Sequence, residues 1–271
     1  MMTELFQLHF FRNAFIMSIL LGILFGTLSF FVVMRKMSFL GAGIAHTAFG
    51  GVALGVLLGL DPFLTSLTFC TVAAILLGKL VRYGKISYDM GIGIFFSFSM
   101  ALGALFLAFK RGYAFDLMSY LFGNILGVTM GDALIALGIL LVFIPFILIF
   151  IHRILFMSMD EEVAAVSGIK VNLLDTILLV FLAAIIVTSI KIVGIILVSA
   201  LVVLPASFGL LVSKNYRTVI LTGILFTMAI MIGGLFLSYI LDTPAGATMV
   251  TAGTVLYFLA LVVFKQFLPD R

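Results

Sequence analysis

Long runs of apolar residues, each broken by a charge, a proline or a cluster of glycines, set the pattern of this chain. A helix needs roughly 20 mostly apolar residues to cross the hydrocarbon core of a bilayer. Runs near 14–34, 39–59, 63–81, 91–109, 132–152, 172–190, 192–213, 218–241 and 246–264 approach that length, which predicts nine membrane helices. The count falls to eight if the sixth and seventh runs, parted only by Lys191 and Gly194, form one bent element. Strands do not fit. A membrane barrel alternates polar and apolar positions over segments of about ten residues, whereas Leu20 to Val33 and Ile139 to Ile151 are apolar on every side.

Composition carries the same message. Of 271 residues, 64% are hydrophobic and 10% charged, against about 45–50% and about 25% in an ordinary soluble domain. That excludes a water-soluble enzyme and leaves little chain for a soluble domain. The expected fold is an all-α integral membrane protein, a polytopic bundle of eight or nine helices forming one domain over 1–271. The net charge of +4 reports orientation rather than nucleic-acid binding, because eleven of the fifteen basic residues fall on alternate loops. Arg35 and Lys36 follow the first span, and Lys79, Arg82 and Lys85 the third. Arg153 and Lys170 flank the loop after the fifth, Lys214 and Arg217 follow the seventh, and Lys265 and Arg271 close the chain. The other loops hold Arg12, Lys110, Arg111 and Lys191. The predicted topology has an outside N-terminus and a cytoplasmic C-terminus. Met1 to Asn13 lacks the basic cluster of a secretory leader, so the first span is expected to remain in place. Cys70, the single cysteine, excludes an internal disulfide.

Three stretches depart from plain packing. In the second span Gly43, Thr47, Gly51, Gly55 and Gly59 recur every four residues, a groove that admits another backbone and that close helix packing alone would explain. Beside it lies His46, the one histidine well inside a span, with Ala42 and Gly50 one turn away on either side. An ionisable group there is costly and faces a bundle interior or a wet pathway, and a neutral imidazole ligates several transition metals. His46 is therefore the leading site residue, as a transient metal ligand; the plainer reading is a histidine hydrogen-bonded to a neighbouring helix.

The second stretch is 159–169. Ser158 or Asp160 can cap a helix start, Glu161 and Glu162 sit in the first turn where the dipole favours acids, and Gly168 can close it in a left-handed cap. The result is a short amphipathic helix whose small Val163, Ala164 and Val166 can enter another protein's groove, or else a connector on the membrane surface. In the third, 193–207, Pro205 lacks an amide hydrogen and loosens the helix near Leu201, as a hinge or as tolerated packing. Lys191 is read as snorkelling to the interface, and Asp242 with Pro244 as an outside turn. Tyr113 to Gly131, with Phe115, Leu117, Met118, Leu121, Phe122, Ile125 and Leu126, reads as an interfacial or re-entrant helix and a candidate lid.

No phosphate-binding loop occurs, since Gly78-Lys79 is followed by Leu80, so this chain does not hydrolyse ATP alone. Neither H-E-x-x-H nor G-x-S-x-G occurs, and the acids concentrate at helix ends rather than in a proton relay.

At these places the sequence resembles the permease subunits of the ABC-3 family, the zinc, manganese and iron uptake transporters. The matching strings are Val33-Met34-Arg35-Lys36 through LGAGIAHTAFGGVALG, then DLMSYLFGNILGV at 116–128, DEEVAAVSGI at 160–169 and KIVGIILVSALVVLPAS at 191–207. The resemblance implies a two-fold pair of permeases, a homodimer in the bacterial plasma or inner membrane. Two cytoplasmic ATP-binding subunits would drive it, and an extracellular or periplasmic metal-binding protein would feed it. On that reading Asp160, Glu161, Glu162, Ala164 and Gly168 form the coupling helix, and His46 lies on the ion path. No cofactor would be bound permanently; a divalent metal ion is cargo, and ATP sits on the partner. One departure stands out: many family members read G-D-x-x-x-H here, and Ala42 occupies the aspartate position. The path would then hold its ion more weakly, use Asn124 or Asp242, or serve a different metal. The alternatives are a permease for a metal chelate such as a siderophore or corrinoid, a secondary transporter, and, least supported, an intramembrane hydrolase.

Overall fold

The structure, a computed structural model, describes residues 7–84, 86–110, 117–124 and 127–267. In chain order these form α1 (His9–Met34), α2 (Leu40–Leu58), α3 (Pro62–Gly84), α4 (Tyr88–Phe109), α5 (Leu117–Phe122), α6 (Met130–Met159), α7 (Glu161–Val166), α8 (Val171–Val193), α9 (Ile195–Val212), α10 (Tyr216–Leu241) and α11 (Ala245–Phe267). Among the described residues nine helices, all but α5 and α7, are long and apolar enough to cross a membrane. The nine-span expectation holds, and Gly194 decides it. With φ at +86° it sits in the left-handed region that other residues avoid, so it ends α8 and starts α9 in a single step.

Seven of the nine long helices outrun the apolar stretches that announced them, because caps rather than hydrophobicity end a helix, while α2 and α9 stop inside theirs. The fifth apolar run stops at His152-Arg153, yet α6 continues to Met159 and reaches Asp160, which caps α7. Its 30 residues span about 45 Å at 1.5 Å per residue, against a hydrocarbon core of about 30 Å. Within the candidate lid, the described residues include α5 and the first two residues of α6, Met130 and Gly131; Tyr113, Phe115, Ile125 and Leu126 lie outside the described residues, as do the loop cations Lys85, Arg111 and Arg271.

The chain gathers into two compact units. The first comprises Met1–Val33, Leu117–Leu137 and Ser189–Arg271; the second comprises Met34–Asp116 and Gly138–Thr188. In the first unit α9 packs on α10 and α11, α10 on α11, and α5 against α9 and α11. Glycines admit α1 to this group: a Cβ on Gly22 would lie 2.7 Å from Met228 Cγ, and one on Gly26 would strike the Ile224 backbone. In the second unit α2 packs on both α3 and α4, which also meet each other.

Candidate translocation and coupling sites

The glycine stripe of α2 is filled by neighbouring helices. A Cβ on Gly51 would stand 2.6 Å from Ser66 Cα of α3, one on Gly43 2.5 Å from Ile92 Cγ2 of α4, and one on Gly50 2.8 Å from the Ser99 carbonyl oxygen. Between Gly43, Thr47 and Ile92 only about 10 Å³ of space remains, room for one water molecule at most. Thr47 Oγ1 donates to the Gly43 carbonyl at 2.7 Å, so its hydroxyl is satisfied within the helix. The stripe is packing, as the spacing alone would explain.

His46 is half-buried on α2, and its ring meets Phe96 of α4 edge-on, with centroids 4.6 Å apart. Among the described residues no group of three or more His, Cys, Asp or Glu side chains gathers anywhere to hold a metal ion.

The structure brings Asn124 and Asp242 together. Both line a cavity of about 270 Å³ in the first unit, with Phe10, Gly123, Ser238, Tyr239, Thr243, Pro244 and Ala245. Asp242 ends α10 in a left-handed conformation, φ +53°, and its side chain is exposed. The Ser238 hydroxyl donates to the Thr243 carbonyl at 2.6 Å, fixing the turn beneath it. The Asn124 N–H donates to the Lys191 carbonyl at 2.7 Å. Glycines make this junction possible: a Cβ on Gly123 would strike the Ile192 carbonyl, one on Gly246 the Val193 carbonyl, and one on Gly194 the Leu121 carbonyl. Lys191 does not simply snorkel. Its ammonium donates to Asp132 Oδ1 at 2.7 Å, while Asp132 Oδ2 accepts from the N–H and hydroxyl of Thr129.

Pro205 is buried inside α9, and α1 completes the backbone around it. Ser29 Oγ accepts from the Ala206 N–H at 2.9 Å and donates to the Val203 carbonyl at 3.4 Å. A Cβ on Gly223 of α10 would come 3.2 Å from the Pro205 carbonyl oxygen. In the sequence Ser29 carries no signal of this role, being one serine in an apolar run.

The 159–169 segment folds as its residues dictate. Asp160 is the N-cap, accepting from the Val163 N–H at 3.0 Å, and Glu161 and Glu162 occupy the first turn of α7. Gly168, φ +84°, closes the segment, with the Ile169 N–H donating to the Ala164 carbonyl at 3.1 Å. Ala164 is fully buried, whereas Glu162 and Val166 are exposed.

Beneath α7 lies an ionic cluster that the sequence did not reveal. Arg35, between α1 and α2, donates from Nε to Asp175 Oδ1 at 3.0 Å and from Nη2 to Asp175 Oδ2 at 2.5 Å. Its Nη1 donates to the Met157 carbonyl at 2.7 Å, and Nη2 also reaches Glu161 Oε2 at 3.1 Å. Burial opposes charge on this guanidinium, but the carboxylates of Asp175 and Glu161 outweigh it and raise its pKa above the ordinary arginine value. Arg82 Nη2 donates to Thr176 Oγ1, beside Asp175, at 2.6 Å. The only local signal was Asp175 itself, a lone carboxylate in the apolar stretch VNLLDTILLV.

Comparison with known proteins agrees with this architecture over its whole length. The model of the ABC 3 transport family matches residues 7–264. A manganese transport system membrane protein, MntC of Listeria monocytogenes, is 33% identical over 95% of this chain and 92% of its own length. A high-affinity zinc uptake system membrane protein, ZnuB of Haemophilus influenzae, is 31% identical over 93% of this chain and 96% of its own. The solved structure of PsaBC from Streptococcus pneumoniae in complex with Fab superposes with a TM-score of 0.83 at 32% identity, covering 96% of this chain and 95% of that one. On this match across nearly all of its residues, the chain belongs to the ABC 3 transport family.

Proposed function

We propose that this chain is the membrane-spanning permease subunit of an ATP-binding cassette importer for divalent metal ions of the manganese and zinc class. The observation that carries the reading is full-length similarity to permeases named for manganese and for zinc, in a chain with nine membrane-crossing helices. Residues 1–271 act as one transmembrane domain, since neither compact unit is a contiguous piece of chain. His46 lies on the ion path, and Asn124 and Asp242 are its further candidate oxygen donors, side by side in one cavity of the first unit. Two copies line the path, a separate cytoplasmic subunit hydrolyses ATP, and an extracellular or periplasmic metal-binding protein delivers the ion.

Asp160 to Gly168 is the coupling segment. Its exposed Glu162 and Val166 face the ATPase, while Pro205 is the place where α9 bends as the path opens to one side or the other. The decisive experiment reconstitutes the chain with its ATPase in vesicles and follows radioactive manganese and zinc. Uptake should require ATP inside the ATPase compartment and persist when ion gradients are collapsed. Uptake driven by a gradient without ATP would make the chain a secondary transporter, and uptake of chelates but not free ions would move it to the siderophore class.

A further inference from the structure

We infer that Arg35 is the positioning residue that ties the coupling segment to the membrane helices, holding a fixed anchor on Asp175 and a releasable arm on Glu161. The inference rests on the permease reading above and adds to it the side chain through which motion of α7 reaches a span. A guanidinium has five N–H donors in a rigid fork, and Arg35 spends them on three neighbours: the Asp175 carboxylate of α8, the Met157 carbonyl at the end of α6, and Glu161 of α7.

The two arms differ in burial. The side chains of Arg35 and Asp175 are 7% and 4% exposed, whereas that of Glu161 is 56% exposed. A buried bidentate pair has no water to replace a lost partner, while an exposed carboxylate exchanges protein for solvent at little cost. Displacement of α7 by a docked protein would therefore break the Glu161 arm first and leave the Asp175 anchor in place. Arg82, bonded to Thr176, braces the anchor from α3. Lysine in place of Arg35 keeps the charge and loses the fork.

The test uses the reconstituted complex and reads two quantities at once, metal transported and ATP hydrolysed. Arg35→Gln should lower the ratio of ions moved to ATP consumed about tenfold, with ATP hydrolysis retained, and Arg35→Lys should restore only part of it. Glu161→Gln, at an exposed position that does not threaten folding, should lower the ratio about twofold to threefold, as expected for a solvent-screened arm. The exchange Arg35→Asp with Asp175→Arg should recover coupling relative to either single change. An unchanged ratio in both Arg35→Gln and Glu161→Gln overturns the inference, as does a proportional fall of both quantities that the exchange fails to reverse. If Arg35→Gln does not assemble, the Glu161→Gln ratio decides alone. Absence of ATP-dependent uptake in the unsubstituted complex would instead sink the permease reading, independently of Arg35.

Discussion

His46 is half-buried on α2 and packed edge-on to Phe96 of α4, which places an imidazole within an apolar span. Removing it should take away affinity along the path without removing packing that the fold needs, because the α2 contacts run through its glycines rather than through this ring. His46→Ala is therefore expected to lower uptake at limiting metal by about tenfold or more while leaving the complex assembled, the order reached when one group at a metal site is lost. Uptake equal to the parent at nanomolar metal would take His46 off the path. This residue was legible in the sequence because an imidazole inside an apolar run carries its own signal. Arg35 and Asp175 were not, since their pairing spans 140 positions and nothing in either neighbourhood encodes it. In the sequence Arg35 is one of the cations that set the orientation and part of a string shared with the family, and neither use points to Asp175.

Elements divide along the same line. The 159–169 segment could be read letter by letter, because a cap, two acids and a closing glycine act within a dozen residues, and Asp160 and Gly168 do as their chemistry requires. The Gly123, Gly194 and Gly246 junction could not, because what each glycine avoids is a carbonyl delivered by distant chain. The contrast gives a measurable difference. Gly168 and Gly194 both have φ near +85°, but a Cβ on Gly168 meets nothing within 4 Å, while one on Gly194 collides with the Leu121 carbonyl and lies 2.6 Å from the Gly123 nitrogen. Gly168→Ala should cost about 1–2 kcal/mol, the strain of a left-handed alanine. Gly194→Ala must add to that strain the displacement of packed backbone, so it should cost several kcal/mol more and leave little assembled protein. Thermal unfolding in detergent, followed by size-exclusion profiles, checks both; equal losses would mean that the junction opens freely. Pro205 belongs with the glycines, for its missing donor was visible in the sequence and the Ser29 hydroxyl that serves the neighbouring amide was not.

At the scale of the whole molecule, apolar runs announced the number of spans, but not their grouping, because the chain passes four times between two units and hydrophobicity says nothing about which helices share one. Direction across the membrane follows from counting crossings. Four of the long helices, α4, α6, α8 and α9, separate Tyr83 from Lys214, so these exposed positions share a side; α10 alone separates Lys214 from Thr243, which must lie opposite. The excess of lysine and arginine assigns Tyr83 and Lys214 to the cytoplasm. Cys70 is buried, with its thiol directed at the Ile44 carbonyl 3.7 Å away, a weak bond whose loss in Cys70→Ala the bundle should tolerate. In that background Thr243→Cys should react with a membrane-impermeant maleimide in intact cells, while Tyr83→Cys and Lys214→Cys should react only after permeabilisation. The reverse pattern would invert the orientation and put α7 on the wrong side for an ATPase. A difference between Tyr83→Cys and Lys214→Cys would mean that one helix between them does not cross, and the step at Gly194 would be the first place to look.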